Sequence, residues 1–254
     1  MELHNTIAIV TGAASGIGYL TVCNLIKAGA KVAACDINES GLQTLDAALD
    51  CGPERFFYQQ FDLTNEASIK KFVTDAFQKI GPCNLLINNA GILRDGHLVK
   101  MEEQAQYYAL PTAQWRAVIE TNLTAPMLMA RQTILEWLTL KIAPALIINV
   151  SSIAAKGNSG QSAYAASKAG LNALTQCWAK EFSSHGIRVV GVAPGLVDTP
   201  MASSLNASDF LEITKASHLG RPGKPEEVWQ LIKTLIECEF MASQTYPIDG
   251  GNKL

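Results

Sequence analysis

Short apolar runs alternate with longer helical stretches along almost the whole chain, and this alternation limits the possible folds more than any single residue does. The runs are rich in β-branched residues and bounded by turn residues, as buried strands are. Candidate strands lie at residues 6–10, 31–35, 55–61, 84–88, 145–150, 187–193 and 244–248, and candidate helices at roughly 17–29, 40–49, 65–80, 112–140, 161–184 and 225–237. The alternation predicts a parallel sheet of about seven strands with helices on both faces, a doubly wound α/β fold. Because no linker or repeat divides it, we expect a single domain over residues 1–254.

Composition places the chain among compact globular proteins, because 48% of its residues are hydrophobic and 17% are charged. A net charge of −3 gives no electrostatic reason to expect nucleic acid or an anionic membrane as a partner. The six cysteines show no Cys-x-x-Cys spacing, so we expect no metal site or disulfide framework, but reduced thiols in a cytoplasmic protein. The N-terminus lacks the layout of a signal peptide, and charges interrupt the most apolar region, residues 127–150. We therefore expect no membrane span.

A glycine-rich turn follows the first predicted strand and opens the first predicted helix. It reads Thr11-Gly-Ala-Ala-Ser-Gly-Ile-Gly18. Its glycines Gly12, Gly16 and Gly18 let the backbone approach a phosphate, whose charge the free N–H groups of a helix start can bind. Taken alone, the turn could be only a tight connection between strand and helix.

Asp36 ends the second predicted strand and strengthens the nucleotide interpretation. A carboxylate at this place can accept hydrogen bonds from both ribose hydroxyls of an adenosine, and it would repel a 2′-phosphate. On its own, Asp36 could be a loop or helix-capping aspartate. Together with the glycine turn, it predicts a dinucleotide site that favours NAD over NADP.

Several polar or small residues fall directly after predicted strands. They are Gly12, Asp36, Asp62, Asn89, Ser151 with Ser152, and Pro194. The carboxyl ends of parallel strands meet at one edge of a sheet, and ligands of doubly wound sheets bind at that edge near the switch point. We therefore expect these residues to surround a common ligand site.

Tyr164 and Lys168 are four residues apart in a predicted helix, so their side chains share one face. A tyrosine hydroxyl is a weak acid, with a reference pKa of about 10. A fixed positive charge beside it stabilises the phenolate and should lower that pKa, so that the phenol can exchange a proton with an alcohol or carbonyl oxygen. By chance alone, the same spacing would be a core aromatic followed by a surface cation.

These motifs occur in the order in which one known family carries them. Thr11–Gly18, Asn88-Asn-Ala-Gly91, Ser151-Ser152, Tyr164-x-x-x-Lys168 and Pro194-Gly195 together resemble the short-chain dehydrogenase/reductase family, in its single-domain, Rossmann-like form. Within the family, residues 88–95, 157–164 and 249–251 are most similar to 3-oxoacyl-[acyl-carrier-protein] reductases. The resemblance implies an NAD(H)-dependent oxidoreductase that interconverts a ketone and a secondary alcohol, with an acyl thioester as one possible substrate. It also implies a homo-oligomer, either a tetramer or a dimer.

The resemblance further implies which residues take part in catalysis. Tyr164 would be the general acid/base, Lys168 would lower its pKa and hold the nicotinamide ribose, and Asn122 would support a proton-relay water. A serine would hydrogen-bond the substrate oxygen. Relatives commonly carry it thirteen residues before the tyrosine, which is Ser151 here, but the end of the preceding strand aligns Ser152 with that place. We favour Ser152, because strand register shifts less readily than loop length.

The family pattern also implies the cofactor contacts. Besides the three glycines, Asp36, Tyr164 and Lys168, they are Ser15, Ile17, Ile37, Asp62, Leu63, Asn89, Ala90, Gly91, Pro194, Gly195, Val197 and Thr199. Ser15 stands where the carrier-protein reductases have an arginine for a 2′-phosphate, which again favours NAD. Asp62 and Leu63 would contact the adenine, although Asp62 could instead cap the helix at 65–80.

Two segments differ from the relatives or leave their role open. About nine extra residues lie around Glu102–Leu110, and they could edge the cleft or extend an oligomer surface. The segment Met201–Leu219 corresponds to a mobile lid over the substrate in relatives, and it could also be an ordinary surface helix.

Overall fold

The computed structural model describes residues 1–102, 106–204 and 207–252. Its strands are β1 (Ile7–Thr11), β2 (Lys31–Asp36), β3 (Phe56–Gln60), β4 (Leu85–Asn88), β5 (Val99–Glu102), β6 (Gln106–Ala109), β7 (Ala145–Val150), β8 (Ile187–Pro194) and β9 (Thr245–Ile248). Seven of them form one parallel sheet in the order β3-β2-β1-β4-β7-β8-β9. The chain reverses its direction across the sheet between β1 and β4, which is the switch point of a doubly wound fold. The predicted fold class is confirmed.

The α-helices of the described residues are α1 (Gly16–Lys27), α2 (Glu39–Leu49), α3 (Glu66–Lys79), α4 (Thr112–Ile119), α5 (Ala125–Leu140), α6 (Ser162–Phe182), α7 (Ala207–Ala216) and α8 (Pro225–Glu237). Six of them pack against the two faces of the sheet: α1, α2 and α8 on one face, and α3, α5 and α6 on the other. Alternate residues of a strand point to opposite faces, so Ala8 and Val10 pack with α1, α2 and α8, while Ile9 packs with α3, α5 and α6. Both faces of the central strands are therefore buried, as the continuous apolar runs predict.

Asparagines cap two of the helices at the edge of the sheet where the strands end. The Asn38 side chain accepts a hydrogen bond from the Gly41 N–H (3.1 Å) at the start of α2. The Asn65 side chain does the same with the Ser68 N–H (3.0 Å) at the start of α3. The alternative that Asp62 caps this helix is wrong, because its carboxylate accepts hydrogen bonds from the Thr64 N–H and hydroxyl (2.9 Å each).

The helix predicted over residues 112–140 is not continuous. A five-residue π-helical segment, Glu120–Thr124, separates α4 from α5. At its centre the buried Asn122 side chain pairs with both backbone groups of Ile92, accepting from the N–H (2.8 Å) and donating to the carbonyl (2.9 Å). Such single-turn π segments are frequent at functional sites.

The extra segment forms an antiparallel hairpin, β5–β6. Its residues 103–105 lie outside the described ranges. Val99, Met101 and Tyr107 share one face of the hairpin and are 58%, 60% and 70% exposed. No described residue of the hairpin lines the main cavity. At the base of the hairpin, the Leu98 carbonyl accepts a hydrogen bond from the Leu110 N–H (3.0 Å).

The segment 201–219 contains a short 3₁₀ turn, Ala202–Ser204, followed by α7, and residues 205–206 lie outside the described ranges. Met201, Ala202 and Ile213 line the main cavity. The segment therefore contains a helix, α7, as the second alternative expects, and it also borders the cavity, as expected for a lid over the substrate. No helix in the described part of the chain has the length and hydropathy that crossing a bilayer requires.

Candidate active site

A cavity of about 730 Å³ opens at the carboxyl ends of the parallel strands. It is lined by the loops that follow β1, β2, β3, β4, β7 and β8, together with parts of α4 and α6. The predicted site residues in its wall are Gly12, Ser15, Gly16, Ile17, Asp36, Ile37, Asp62, Leu63, Asn89, Ala90, Gly91, Ser151, Ser152, Tyr164, Lys168, Pro194, Gly195, Val197 and Thr199. Gly18 and Asn122 are buried behind the wall rather than in it.

The glycine turn forms the floor at one end of the cavity. Gly12 has a φ of +65°, and a Cβ on it would lie 2.7 Å from the Ala90 Cα. A Cβ on Gly18 would lie 2.1 Å from the Gly12 carbonyl oxygen. Both positions therefore require glycine for steric reasons. Ser15 makes no side-chain cap to α1, which leaves the first N–H groups of this helix available at the cavity, as an anion site requires.

The loop after β4 holds this turn in place. The Asn89 amide donates hydrogen bonds to the carbonyls of Thr11 and Gly12 (3.0 Å each). In return, the Thr11 hydroxyl accepts from the N–H groups of Asn89 (3.1 Å) and Ala90 (3.0 Å). The two loops that flank the switch point are thereby joined, so the turn is preorganised before any ligand arrives.

Asp36 lies in the cavity wall at the end of β2. One carboxylate oxygen accepts from the Ala14 N–H (3.0 Å) and the other from the Asn38 N–H (2.9 Å). Each oxygen keeps a further lone pair that can accept from a ribose hydroxyl. The glycine cradle, the open helix start and this carboxylate fit the pyrophosphate and ribose of a dinucleotide.

Tyr164, Ser152 and Lys168 meet in the opposite wall of the cavity. The Lys168 Nζ lies 5.7 Å from the centre of the Tyr164 ring and donates a hydrogen bond to the Val150 carbonyl (2.8 Å). The Ser152 side chain hydrogen-bonds the Tyr164 phenol and lowers its pKa. This places a phenol, a hydroxyl and an amine around one point, where an alcohol or carbonyl oxygen can be hydrogen-bonded and can exchange a proton.

The prediction that Tyr164 has a lowered pKa is wrong for the protein alone. Burial raises the pKa of the phenol, and the Asp95 carboxylate raises it further, against the opposing effect of Ser152. Burial also lowers the pKa of Lys168 to about 8. Removal from water disfavours the charged form of both groups, and this effect outweighs the attraction that the sequence spacing suggested.

The structure separates the two candidate serines. Ser151 is 4% exposed, and its hydroxyl donates to the Lys168 carbonyl (3.2 Å), so it ties the end of β7 to α6. The Ser152 hydroxyl accepts from the Ala154 N–H (3.1 Å) and reaches Tyr164. Both residues line the cavity, but only Ser152 contacts the phenol.

Asn122 lies behind the wall, close to Lys168. A Cβ placed on Gly91 would be 3.3 Å from the Asn122 Oδ1 and 3.5 Å from the Lys168 Nζ, so the two side chains flank the same glycine. The Asn122 amide also donates to the Ser167 hydroxyl (3.3 Å). Its side chain therefore joins the loop after β4 to α6, and its predicted support of a relay water remains a prediction.

The sequence did not identify several residues of the wall. They are Ile92, Leu93, Arg94, Arg116, Ala117, Glu120, Thr121, Asn158, Gln161 and Ile213. Asn158 and Gln161 lie within the stretch that carries the resemblance, but polar loop residues have no local signal that shows where their side chains point. Arg116 and Ala117 lie on α4, and the sequence could have identified them only if it had shown which face of α4 packs beside α6.

A switch-point cavity with a phosphate cradle at one end and a Tyr–Lys pair at the other defines an oxidoreductase that uses a nicotinamide cofactor. The model of the short chain dehydrogenase family matches residues 6–209. The chain belongs to this family, and as a member it is an enzyme that acts on an alcohol or ketone group.

The relatives are similar over nearly the full chain. A 3-oxoacyl-[acyl-carrier-protein] reductase from Thermotoga maritima is 38% identical over 254 residues, which is 99% of each chain. A cis-4-hydroxycyclohexanecarboxylate dehydrogenase from Sinomonas cyclohexanicum is 35% identical and covers 96% of this chain and 95% of its own. The crystal structure of a short-chain dehydrogenase/reductase, SDR:Glucose/ribitol dehydrogenase, from Brucella melitensis superposes with a TM-score of 0.86 at 26% identity, covering 98% and 97% of the two chains.

Proposed function

We propose that this enzyme uses NAD(H) to interconvert a ketone and a secondary alcohol, with a 3-oxoacyl or 3-hydroxyacyl thioester as the substrate. One observation carries the proposal: Tyr164, Ser152 and Lys168 face the same cavity as the glycine turn and Asp36. A proton-transfer group and a dinucleotide site therefore share one space, as a hydride-transfer enzyme requires.

In this proposal each side chain has one task. A bound nicotinamide dinucleotide supplies or accepts the hydride. Tyr164 donates a proton to the carbonyl oxygen in reduction and takes it from the hydroxyl in oxidation, while Ser152 hydrogen-bonds the same oxygen. Lys168 holds the nicotinamide ribose and, with a pKa of about 8, can pass protons near the working pH. Asn122 supports the relay by fixing Ile92 and Ser167 beside Lys168.

The cofactor preference rests on Asp36. Its carboxylate is positioned by two backbone N–H groups, so its negative charge stays at the end of β2, where a 2′-phosphate would have to lie. Ser15 in the glycine turn supplies no positive charge to offset it. The other predicted cofactor residues that line the cavity are proposed to contact the rest of the dinucleotide. They are Ile17, Ile37, Asp62, Leu63, Asn89, Ala90, Gly91, Pro194, Gly195, Val197 and Thr199.

The thioester proposal is supported by the names of the relatives, several of which are 3-oxoacyl-[acyl-carrier-protein] reductases. A second candidate is a secondary alcohol that carries a carboxylate, as the name of the Sinomonas relative indicates for that protein. Arg94 and Arg116 favour it, because they add positive charge to the cavity wall.

Sugar alcohols, steroids and diols would follow the same chemistry. A dinucleotide-binding protein without catalysis would instead bind NADH and turn over no ketone.

The first test is the initial rate with acetoacetyl-coenzyme A and either NADH or NADPH. We expect turnover that favours NADH, and a loss of at least about 100-fold in kcat for Tyr164→Phe with an unchanged Kd for NADH. Full activity of Tyr164→Phe would contradict the proposed mechanism. If 4-oxocyclohexanecarboxylate is reduced and the thioester is not, the second candidate is correct.

The setting of the enzyme is also part of the proposal. All six cysteines are free thiols, which suits a reducing compartment such as the cytoplasm. We propose a homo-oligomer by analogy with the family, with small molecules rather than nucleic acid as partners.

A further inference from the structure

Two loops that border the cavity are joined by hydrogen bonds. One is the post-β4 loop, residues 89–98, and the other is the pre-α6 loop, residues 157–161. The Gly96 N–H donates to the Gly160 carbonyl (2.7 Å). Beside this contact, the Gln161 Nε2 donates to the Asp95 Oδ2 (2.9 Å). The two loops are thus connected by one backbone hydrogen bond, between residues 64 apart in sequence, and by one hydrogen bond to a carboxylate, between residues 66 apart.

The Gln161 side chain is buried and makes a hydrogen bond at each end of its amide. The residue is only 8% exposed, and its Oε1 accepts from the Asn158 Nδ2 (3.1 Å). A buried amide without a partner is costly, and a hydrogen bond to an ionised acceptor is stronger than one between neutral groups. The Asp95 carboxylate is therefore the group that fixes the orientation of this side chain.

Gln161 stands directly before α6, and Tyr164 is the third residue of that helix. The Gln161 carbonyl accepts from the Ala165 N–H (2.7 Å), which forms the first backbone hydrogen bond of α6. The backbone of Gln161 thus sets where the first turn of α6 begins. Any movement of Gln161 displaces the turn that carries the phenol.

The backbone of Asp95 is itself held by a side chain of α4. The Gln114 Nε2, on α4, donates to the carbonyls of Arg94 and Asp95 (3.0 Å each). The backbone of the post-β4 loop therefore cannot follow a displaced Gln161 without breaking these bonds. The hydrogen bonds from Gln114 through Asp95 to Gln161 therefore connect α4 with the start of α6.

We propose that Asp95 and Gln161 are a positioning pair for Tyr164: the Asp95 carboxylate holds the Gln161 side chain, and Gln161 fixes the start of α6 and thus the location of the phenol. The inference rests on the proposed role of Tyr164 in proton transfer. Neither residue needs to touch the substrate for this purpose.

The charge of Asp95 adds an electrostatic effect to the positioning. Burial raises the pKa of the Tyr164 phenol, the Ser152 hydrogen bond lowers it, and the Asp95 carboxylate adds a smaller increase. Lys168 faces the phenol from α6, and the other charged side chains in the cavity wall are Asp36, Asp62, Arg94, Arg116 and Glu120. Asp95 thus adds to the effect of burial in favouring the protonated phenol, which suits a proton donor in reduction. Because Asp95 is exposed, this effect should weaken as the salt concentration rises.

The deciding variant is Asp95→Asn, which keeps an oxygen acceptor for Gln161 and removes the charge. Oxidation needs the deprotonated phenol, so a lower phenol pKa moves the acidic limb of the kcat/KM profile to lower pH. We expect a shift of roughly half a pH unit or more at low salt and a smaller one at high salt. Asp46→Asn, an exposed carboxylate on α2, is the charge-matched control and should leave the profile unchanged.

Gln161→Ala tests the positioning directly. We expect kcat to fall about tenfold while the KM for NADH and its Kd stay within twofold, because the phenol is displaced and the cofactor site is not. Gln161→Glu should not restore activity, because it places a second carboxylate against Asp95. An unchanged kcat in Gln161→Ala, or a Kd for NADH that rises in parallel, would overturn the positioning role.

A titration that needs no substrate separates failure of this inference from failure of the proposed function. The near-ultraviolet phenolate absorbance is followed with pH in the wild type and in Asp95→Asn, and the corresponding Tyr164→Phe proteins are subtracted. A lower Tyr164 pKa in Asp95→Asn supports the inference even if no thioester is turned over. Identical Tyr164 titrations overturn the electrostatic part, whatever substrate the enzyme accepts.

Discussion

Tyr164 and Lys168 lie one helical turn apart, where burial disfavours the charged form of each side chain. Burial raises the pKa of the phenol and lowers that of the amine to about 8. The lysine can therefore change its protonation state close to neutral pH, while the phenol stays protonated in the protein alone. A group that titrates near the working pH is the kind that a proton relay requires.

Asp36 is the residue at which we expect cofactor choice to be decided. Replacing it with Ala removes the negative charge that would repel a 2′-phosphate. The ratio of kcat/KM for NADPH to that for NADH should rise by about tenfold or more, which corresponds to roughly 1.4 kcal/mol. Steady-state kinetics with both cofactors measures it, with Asp46→Ala as the control. An unchanged ratio would show that the preference has another origin.

At the level of elements, the glycine turn and α1 act as one unit with the loop after β4. The hydrogen bonds of Asn89 to Thr11 and Gly12 hold the turn from the other side of the switch point. Gly18 allows this approach, because a Cβ there would lie 2.1 Å from the Gly12 oxygen and 2.5 Å from the Asn89 Nδ2. The backbone conformation of the glycine turn therefore depends on the turn itself and on the loop after β4.

Gly18→Ala should therefore disturb both stability and cofactor binding. We expect a loss of about 1–3 kcal/mol in the free energy of unfolding, since overpacking forces the neighbours apart. NADH affinity should fall with it. Urea unfolding and fluorescence titration with NADH measure the two effects. Gly223→Ala is the matched control, because a Cβ there meets nothing closer than 3.6 Å. Equal behaviour of the two variants would refute the steric argument.

At the level of the whole molecule, the parallel sheet places every strand end, and so every functional loop, at one edge. The opposite end of the molecule carries no predicted site residue, but α5 exposes apolar side chains there. Leu135, Leu138 and Leu140 are 57%, 40% and 53% exposed. Leu135 and Leu138 are three residues apart and so share one face of α5, and we expect this exposed apolar face to be a contact between subunits.

We expect the enzyme to sediment as a dimer or tetramer of its 27.3 kDa chain. Substituting both Leu135 and Leu138 with Ser should shift sedimentation towards smaller species, because it removes apolar surface from one face of α5. A matched pair of changes on the exposed hairpin, Val99→Thr with Met101→Thr, tests the other candidate surface. A wild type that sediments as a single 27.3 kDa species would contradict the expectation of an oligomer.

The seven strands of the sheet lie at the predicted runs because their signal is local. A buried strand needs consecutive apolar residues, and Ala145 to Ile148 supply them whatever they pair with. The π-helical segment and the β5–β6 hairpin were not predicted. The first depends on Asn122 reaching Ile92, a contact across 30 residues, and the hairpin lacks both a short turn motif and a core to pack on.

The sequence by itself determined the family, the fold and half of the residues that line the cavity. Glycines that a turn requires, and a helical spacing of four between Tyr164 and Lys168, are properties of neighbouring residues. Only the tertiary structure decided that Ser152 rather than Ser151 contacts Tyr164, and that the phenol pKa is raised. Burial and the distance to Asp95 follow from segments brought together by folding. A pKa depends on all the surroundings of a group, so the spacing of two residues along a helix could not give its direction.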